Sequence, residues 1–213
     1  MQTYYAARAG EYDRVYQKPE RQSDLRLIEQ WLPSLLSGAT VLEIACGTGY
    51  WTQYIAPVAL AVLGIDSAPE TLQIARSRVN AANVVFQVGD AYALAGTGRS
   101  FDAAFAGFWF SHIPIERQRK FLAGLNAALA PGARVVLLDN LFVEGSSSAI
   151  DEQDGNGNTY QYRNLNNGSM HRVLKNFPTE AQLHALTAEG LGELAANRRW
   201  QYYWAFEYRA AQR

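Results

Sequence analysis

The sequence predicts an α/β fold, a doubly wound and mostly parallel sheet covered by helices on both faces. Two observations carry this expectation. Short β-rich runs alternate with helix-forming stretches long enough to cross back over a sheet. The runs are near-continuous apolar segments rather than alternating ones, as strands buried on both faces must be. Composition agrees: of 213 residues, 48% are hydrophobic and 18% charged, which suits one well-buried globular domain.

Taken in order, the strands are expected at TVLEIA (40–45), LAVLGI (60–65), VVFQV (84–88), FDAAFA (101–106) and ARVVLLD (133–139). The helices between them are expected in WTQYIAPVA, APETLQIARSRVNAA and IPIERQRKFLAGLNAALA. In the last, Ile115, Phe121, Leu122, Leu125 and Leu129 fall on one helical stripe. After Asp139 the composition changes, and residues 144–170 are rich in Gly, Ser, Asn and Asp. Within them TYQYRNL and SMHRVLKNF flank Asn166-Asn167-Gly168, a hairpin signal. A helix at 179–190 then leads to an expected antiparallel pair, LGELAANR and WQYYWAFEYR. The chain is expected to be a single domain over 1–213. Residues 1–30 read as an N-terminal cap, and 141–177 as an insert over one end of the sheet, since loops so long are uncommon unless functional.

Charge and cysteine content narrow the function. Lys plus Arg is 19 against 20 Asp plus Glu, a net charge of −1, which argues against a nucleic-acid partner. The single cysteine, Cys46, excludes an internal disulfide framework and any multi-cysteine zinc site. The N-terminus carries charges throughout and lacks the apolar core of a secretory signal. No run reaches the roughly eighteen apolar residues that span a bilayer. A cytoplasmic protein without a membrane partner is expected, as a monomer or as a homodimer through the hairpin at 159–174.

In an open parallel sheet, ligands bind beyond the carboxyl ends of the strands. The first strand runs into Glu43-Ile44-Ala45-Cys46-Gly47-Thr48-Gly49-Tyr50-Trp51-Thr52, where Gly47 and Gly49 permit a tight turn and close backbone approach. The strict dinucleotide fingerprint wants a third glycine, and Thr52 stands there instead. The second strand ends at Asp66, 17 residues beyond Gly49, where a carboxylate can accept both hydroxyls of a ribose. The third ends at Asp90. Three acids at three strand ends suit a cationic nucleoside better than a pyrophosphate. Each has a structural alternative: Asp66 as a helix N-cap, Asp90 as the cap of a short turn, and Glu43 as a buried acid bonded to amides.

The ordered series VLEIACGTGYWT, GIDSAPE, VGDAYAL, FDAAFAGFWFSHIP and PGARVVLLDN resembles the motifs of the Rossmann-like, class I S-adenosylmethionine-dependent methyltransferases, over roughly residues 38–140. The resemblance implies a seven-stranded sheet with an antiparallel last strand, and S-adenosyl-L-methionine as cofactor, leaving as S-adenosyl-L-homocysteine. It implies that Glu43, Ala45, Gly47 and Gly49 line the methionine part of the cofactor. Asp66 would hold the ribose, with Ser67 and Ala68 beside the adenine. Asp90 would receive the adenine amino group, and Ala91 would supply an N–H. Ala106, Gly107 and Phe108 would lie near the sulfonium. The opening Tyr4-Tyr5…Glu11-Tyr12-Asp13 resembles the mobile cap of the family's small-molecule members, which places Tyr12 among the cofactor contacts.

On the acceptor side, His112 follows the fourth strand closely and is the candidate general base, with a hydrogen-bonded structural role as its alternative. His171 is expected at the surface and His184 in a structural place. Cys46 has no histidine partner in its motif and is not expected to be a nucleophile. Asp139-Asn140 lacks the further aspartate that the catechol-type members use for magnesium, so no metal is expected. Residues 151–158 have the wrong offsets for a calcium loop and read as a solvated, mobile loop. Phe108, Trp109 and Phe110 with Trp51, Tyr160, Tyr162 and Trp204 are expected to supply an apolar pocket for a planar substrate, at least half of them serving as core. The expected activity is methyl transfer to an oxygen or nitrogen of a small organic molecule by in-line displacement. The alternatives are a non-catalytic S-adenosylmethionine-binding protein and a nicotinamide-dependent oxidoreductase.

Overall fold

The computed structural model describes residues 9–94, 100–165, 168–188 and 190–211, with side chains from Asp13 onward. Seven strands form the main sheet: β1 (Thr40–Ile44), β2 (Ala61–Asp66), β3 (Val84–Val88), β4 (Phe101–Gly107), β5 (Leu129–Asn140), β9 (Gly192–Arg199) and β10 (Tyr203–Ala210). Their spatial order is β3-β2-β1-β4-β5-β10-β9. The first five are parallel, whereas β10 runs antiparallel to β5, and β9 antiparallel to β10. The expected seven-stranded sheet with an antiparallel ending is therefore present. The switch in strand order falls between β1 and β4, so the loops after β1, β2 and β4 meet at one edge.

The helices are α1 (Gln22–Leu36), α2 (Thr52–Ile55), α3 (Pro69–Arg78), α4 (Ile115–Ala127) and α5 (Glu180–Thr187). Two differ from expectation for local reasons. Residues 51–59 give a single helical turn, because Pro57 has no N–H to continue it. The segment assigned to a cap over 1–30 contains the start of α1, which continues to residue 36. Its Leu25, Ile28, Leu32 and Leu36 form one fully buried stripe at helical spacing.

Side chains alternate across each strand, and the sheet accordingly has a core on either face. On one face α1 and α2 cover Val41, Val62, Ala103, Phe105, Val136 and Leu138. On the other, α4 and α5 cover Leu42, Ile44, Ala104, Ala106, Val135 and Leu137. The insert forms its own antiparallel sheet of β6 (Glu152–Gln153), β7 (Thr159–Asn164) and β8 (Met170–Leu174). β7 and β8 pair from Tyr160↔Leu174 to Asn164↔Met170, as the hairpin signal implies. Asn166 and Asn167 themselves lie outside the described residues. The loop at 151–158 is built rather than merely solvated. Asp154 accepts from the backbone N–H groups of Asn156 and Asn158 (2.9 Å each) and from the Tyr160 hydroxyl (2.9 Å).

Candidate functional site

Backbone geometry singles out the ends of β1 and β4. Among the described residues, the non-glycine residues with positive φ are Ala45 (φ 51°) and Phe108 (φ 57°), one at each of those ends. Such conformations cost of order 1–3 kcal/mol each and cluster at functional sites. Gly47 (φ 55°) and Gly49 (φ 73°) continue the turn after β1. A Cβ on Gly49 would meet Ala75 Cβ at 3.1 Å, so glycine lets the loop lie against α3. A Cβ on Gly107 would meet the Phe105 ring at 2.9 Å.

The carboxylates occupy different settings. Glu43 is buried beneath the loop and accepts from the Thr52 hydroxyl at 2.6 Å. Burial pushes its pKa up to about 8, with the Asp66 charge adding to the rise and Thr52 opposing it. Thr52, where a dinucleotide fingerprint would have glycine, thus satisfies a buried acid. Asp66 accepts from the N–H groups of Gly47 (2.9 Å) and Ala68 (2.9 Å) and from Thr71 Oγ1 (3.2 Å). Its pKa is raised by burial, against the pull of those bonds. Asp90 is exposed and accepts from the Tyr92 N–H at 2.9 Å, the turn-capping arrangement.

The N-terminal segment Ala9–Tyr16, a 3₁₀ helix, is clamped onto this edge. Asp13 pairs with Arg78 and accepts from Thr48 Oγ1 (2.6 Å), while Arg78 Nη1 donates to the Thr48 carbonyl (2.8 Å). The Tyr16 ring stacks on Tyr50 with centroids 3.5 Å apart, and its centroid lies 5.7 Å from that of Phe108. The Tyr12 side chain, and Tyr4 and Tyr5 altogether, lie outside the described residues.

Beyond β4 and β5, a buried polar group lies between the sheet and the insert. Lys175, just after β8, donates to Asp139 Oδ1 (2.7 Å) and Ser111 Oγ (2.6 Å), and the Ser111 N–H donates to Asp139 Oδ2 (3.0 Å). His112 Nδ1 lies 2.6 Å from the Leu174 carbonyl, so that nitrogen carries the proton. Burial first, then the Lys175 and Arg163 cations, push the imidazole pKa down to about 3.

Comparison with known proteins fits this geometry. A methyltransferase-domain family matches residues 41–132. A demethylmenaquinone methyltransferase of Lactiplantibacillus plantarum is 34% identical over 112 residues, covering 49% of this chain and 46% of that protein. A 2-heptyl-1-hydroxyquinolin-4(1H)-one methyltransferase of Mycobacteroides abscessus is 29% identical over 117 residues, covering 54% and 50%. The chain spans about half the length of the curated relatives it matches. Among solved structures, DhpI in complex with SAH aligns over 100% of this chain and 96% of its own, with a TM-score of 0.79 and 27% identity. A DhpI–SAM–HEP complex gives 0.76 and 28%, over 96% and 94% of the two chains. The domain match and the whole-chain likeness to structures holding SAH and SAM support a class I, S-adenosylmethionine-dependent methyltransferase.

Ala45, Gly47, Gly49, Asp66, Gly107 and Phe108 converge on one edge, with Glu43 beneath them and buried Ala106 behind. The donor set fits the cofactor. Asp66 is a largely buried carboxylate bonded only to N–H and hydroxyl donors among the described residues, and it keeps acceptor capacity for further hydroxyls. Ser67 is exposed beside it, Asp90 and Tyr92 form the rim, and half-buried Ala91 packs on the core.

His112 is buried and hydrogen-bonded to the Leu174 carbonyl, the arrangement given above as the alternative to a general base. The proposed aromatic pocket is divided: Phe108 and Trp51 belong to one core, Phe110 and Trp204 to the other, and Tyr160 lies on the insert beneath Arg172. The residue beside Asp139 is the Lys175 ammonium, so the carboxylate is neutralised from within the chain. His171 is half-buried against Ser169 Oγ (2.8 Å), and His184 lies on α5 near Glu180 and Asn197. Sequence reasoning named Asp13 only as part of the cap and missed Tyr16, Arg78 and Lys175, which lie in segments where polar composition masks long-range contacts.

Proposed function

We propose that the chain transfers the methyl group of S-adenosylmethionine to an oxygen or nitrogen of a small organic molecule by in-line displacement. The observation that carries this is the glycine loop closed by Asp66, whose carboxylate bridges Gly47 and the start of α3 at the switch in strand order. The cofactor, when bound, supplies a methyl group on a sulfonium whose sulfur leaves as a neutral thioether. Asp66 would accept the ribose hydroxyls, Asp90 and Ala91 would meet the adenine, and Tyr12 would reach the cofactor from the cap. Glu43 supports the loop from below. Phe108, Tyr16 and Tyr203 form an apolar wall with ring centroids 5.6–5.7 Å apart, which excludes water and holds the partners in line.

The likeness of nearly the whole chain to DhpI held with SAM and HEP supports a small-molecule acceptor over a macromolecular one. No helix among the described residues is long and apolar enough to cross a membrane. We place the enzyme in the cytoplasm, as a monomer or homodimer acting without nucleic acid.

The test is incubation with methyl-labelled S-adenosylmethionine and a panel of phenols, acids and amines. Acceptor-dependent release of S-adenosylhomocysteine is expected. Cofactor binding with no release for any acceptor would favour a non-catalytic binding protein.

A further inference from the structure

Arg21 is 4% exposed, yet among the described residues no carboxylate forms an ion pair with it. A buried guanidinium without an anion is costly and uncommon. Its Nε donates to Ser146 Oγ (3.0 Å) and its Nη1 to Asn140 Oδ1 (2.8 Å), both neutral acceptors. It also lies over the faces of Tyr202 and Tyr203, with Cζ 5.3 and 5.7 Å from the ring centroids. Beside it stands a second anomaly. Tyr203 is fully buried, and its hydroxyl, which feels the Arg21 guanidinium beside it, finds no acceptor for its own proton among the described residues. A donor pair left open in this way is what an incoming oxygen anion would satisfy.

The location is the acceptor side of the proposed site. Tyr203 pairs with Asn140 across β10 and β5, and its ring centroid lies 5.6 Å from that of Phe108. Further cations gather there. Lys18 donates to the Ser146 carbonyl, and the Arg163 charge reaches Lys18, Lys175 and His112. Of the nearby acids, Asp139 is paired with Lys175, Asp24 accepts from the Tyr202 N–H (2.8 Å), and exposed Glu20 accepts from Ser146 Oγ (2.7 Å) and feels the Lys18 and Arg21 charges without an ion pair to Arg21.

Building on the methyl-transfer function proposed above, we propose that the acceptor is a small organic oxyanion, a carboxylate or a phosphoryl oxygen, held by Arg21 and the Tyr203 hydroxyl beside Phe108. An anionic oxygen needs no base, in keeping with His112 being a neutral and weakly basic imidazole. The oxygen lone pair forms the new C–O bond to the methyl carbon as the C–S bond breaks and its electron pair passes to sulfur. No proton is released, and the product is a methyl ester.

The test uses wild type, Arg21→Gln and Tyr203→Phe, each first titrated calorimetrically with S-adenosylhomocysteine. Each binary complex is then titrated with benzoate, phenylphosphonate and the neutral benzamide. At least one anion should bind wild type about tenfold or more tighter than benzamide, and which one does so tells carboxylate from phosphoryl. Arg21→Gln should weaken that anion at least about tenfold and Tyr203→Phe several-fold, with S-adenosylhomocysteine affinity held within about twofold. If Arg21→Gln fails to bind S-adenosylhomocysteine because it misfolds, Tyr203→Phe decides. Anions binding no better than benzamide, or equally well in the variants, would overturn the proposal while leaving methyl transfer standing. Failure of wild type to bind S-adenosylhomocysteine would remove both.

Discussion

Glu43 and His112 show how burial sets the chemistry of single side chains. The Glu43 carboxyl moves from an ordinary 4.5 to about 8. Between those values the unfolded chain ionises and the native one does not, so the native state loses stability as pH rises through that window. Glu43→Gln removes the effect while keeping a partner for Thr52. Its melting temperature should gain on wild type progressively from pH 5 to pH 8 and then level off, as thermal unfolding across that range would show. His112 moves the other way, down to about 3. Its ring resonances in an NMR titration should therefore show no protonation between pH 5 and 8, and the pH profile of turnover should lack a limb near the ordinary histidine value. The identities of Glu43, Asp66 and the glycines were legible in the sequence because local spacing fixes their places at strand ends. The fate of His112 was not, because its environment is supplied by Leu174 and Lys175, more than sixty residues away in the chain.

Among the elements, the loop after β1 and the cap over it hold the most consequence. Gly49→Ala would force a side chain into both a left-handed conformation and contact with Ala75, a cost of about 1–2 kcal/mol by conformation alone. Reduced stability and weaker S-adenosylhomocysteine binding are both expected, measurable by chemical denaturation and calorimetry. The cap clamp gives a different expectation. Arg78→Ala leaves Asp13 and Thr48 without their shared cation, so proteolysis within residues 9–21 should quicken while the sheet keeps its cooperative unfolding. The five parallel strands could be read directly, since apolar runs flanked by glycine and acid are local signals. α1 was hidden inside a segment assigned to a cap, although Leu25, Ile28, Leu32 and Leu36 carry its helical period. The one-turn length of α2 follows from Pro57.

For the whole molecule, parallel strands wound outward from β1 and β4 bring loops from distant parts of the chain to one edge, and the antiparallel β10 adds Tyr203 to it. Local motifs exposed the half of the edge proposed to face the cofactor. The half proposed to face the acceptor is assembled from residues 18–21, 140–146, 163, 175 and 203, whose proximity no local pattern announces. The central claim is that Asp66 and the glycine loop hold S-adenosylmethionine. Its most direct test is calorimetric titration of wild type and Asp66→Asn with S-adenosylmethionine, S-adenosylhomocysteine and NADH. Micromolar binding of both sulfur ligands by wild type, weakened at least about tenfold in the variant and without NADH binding, is the result expected when a charge-assisted hydrogen-bond acceptor is lost. Binding of NADH, or equal binding of the sulfur ligands by both proteins, would contradict it.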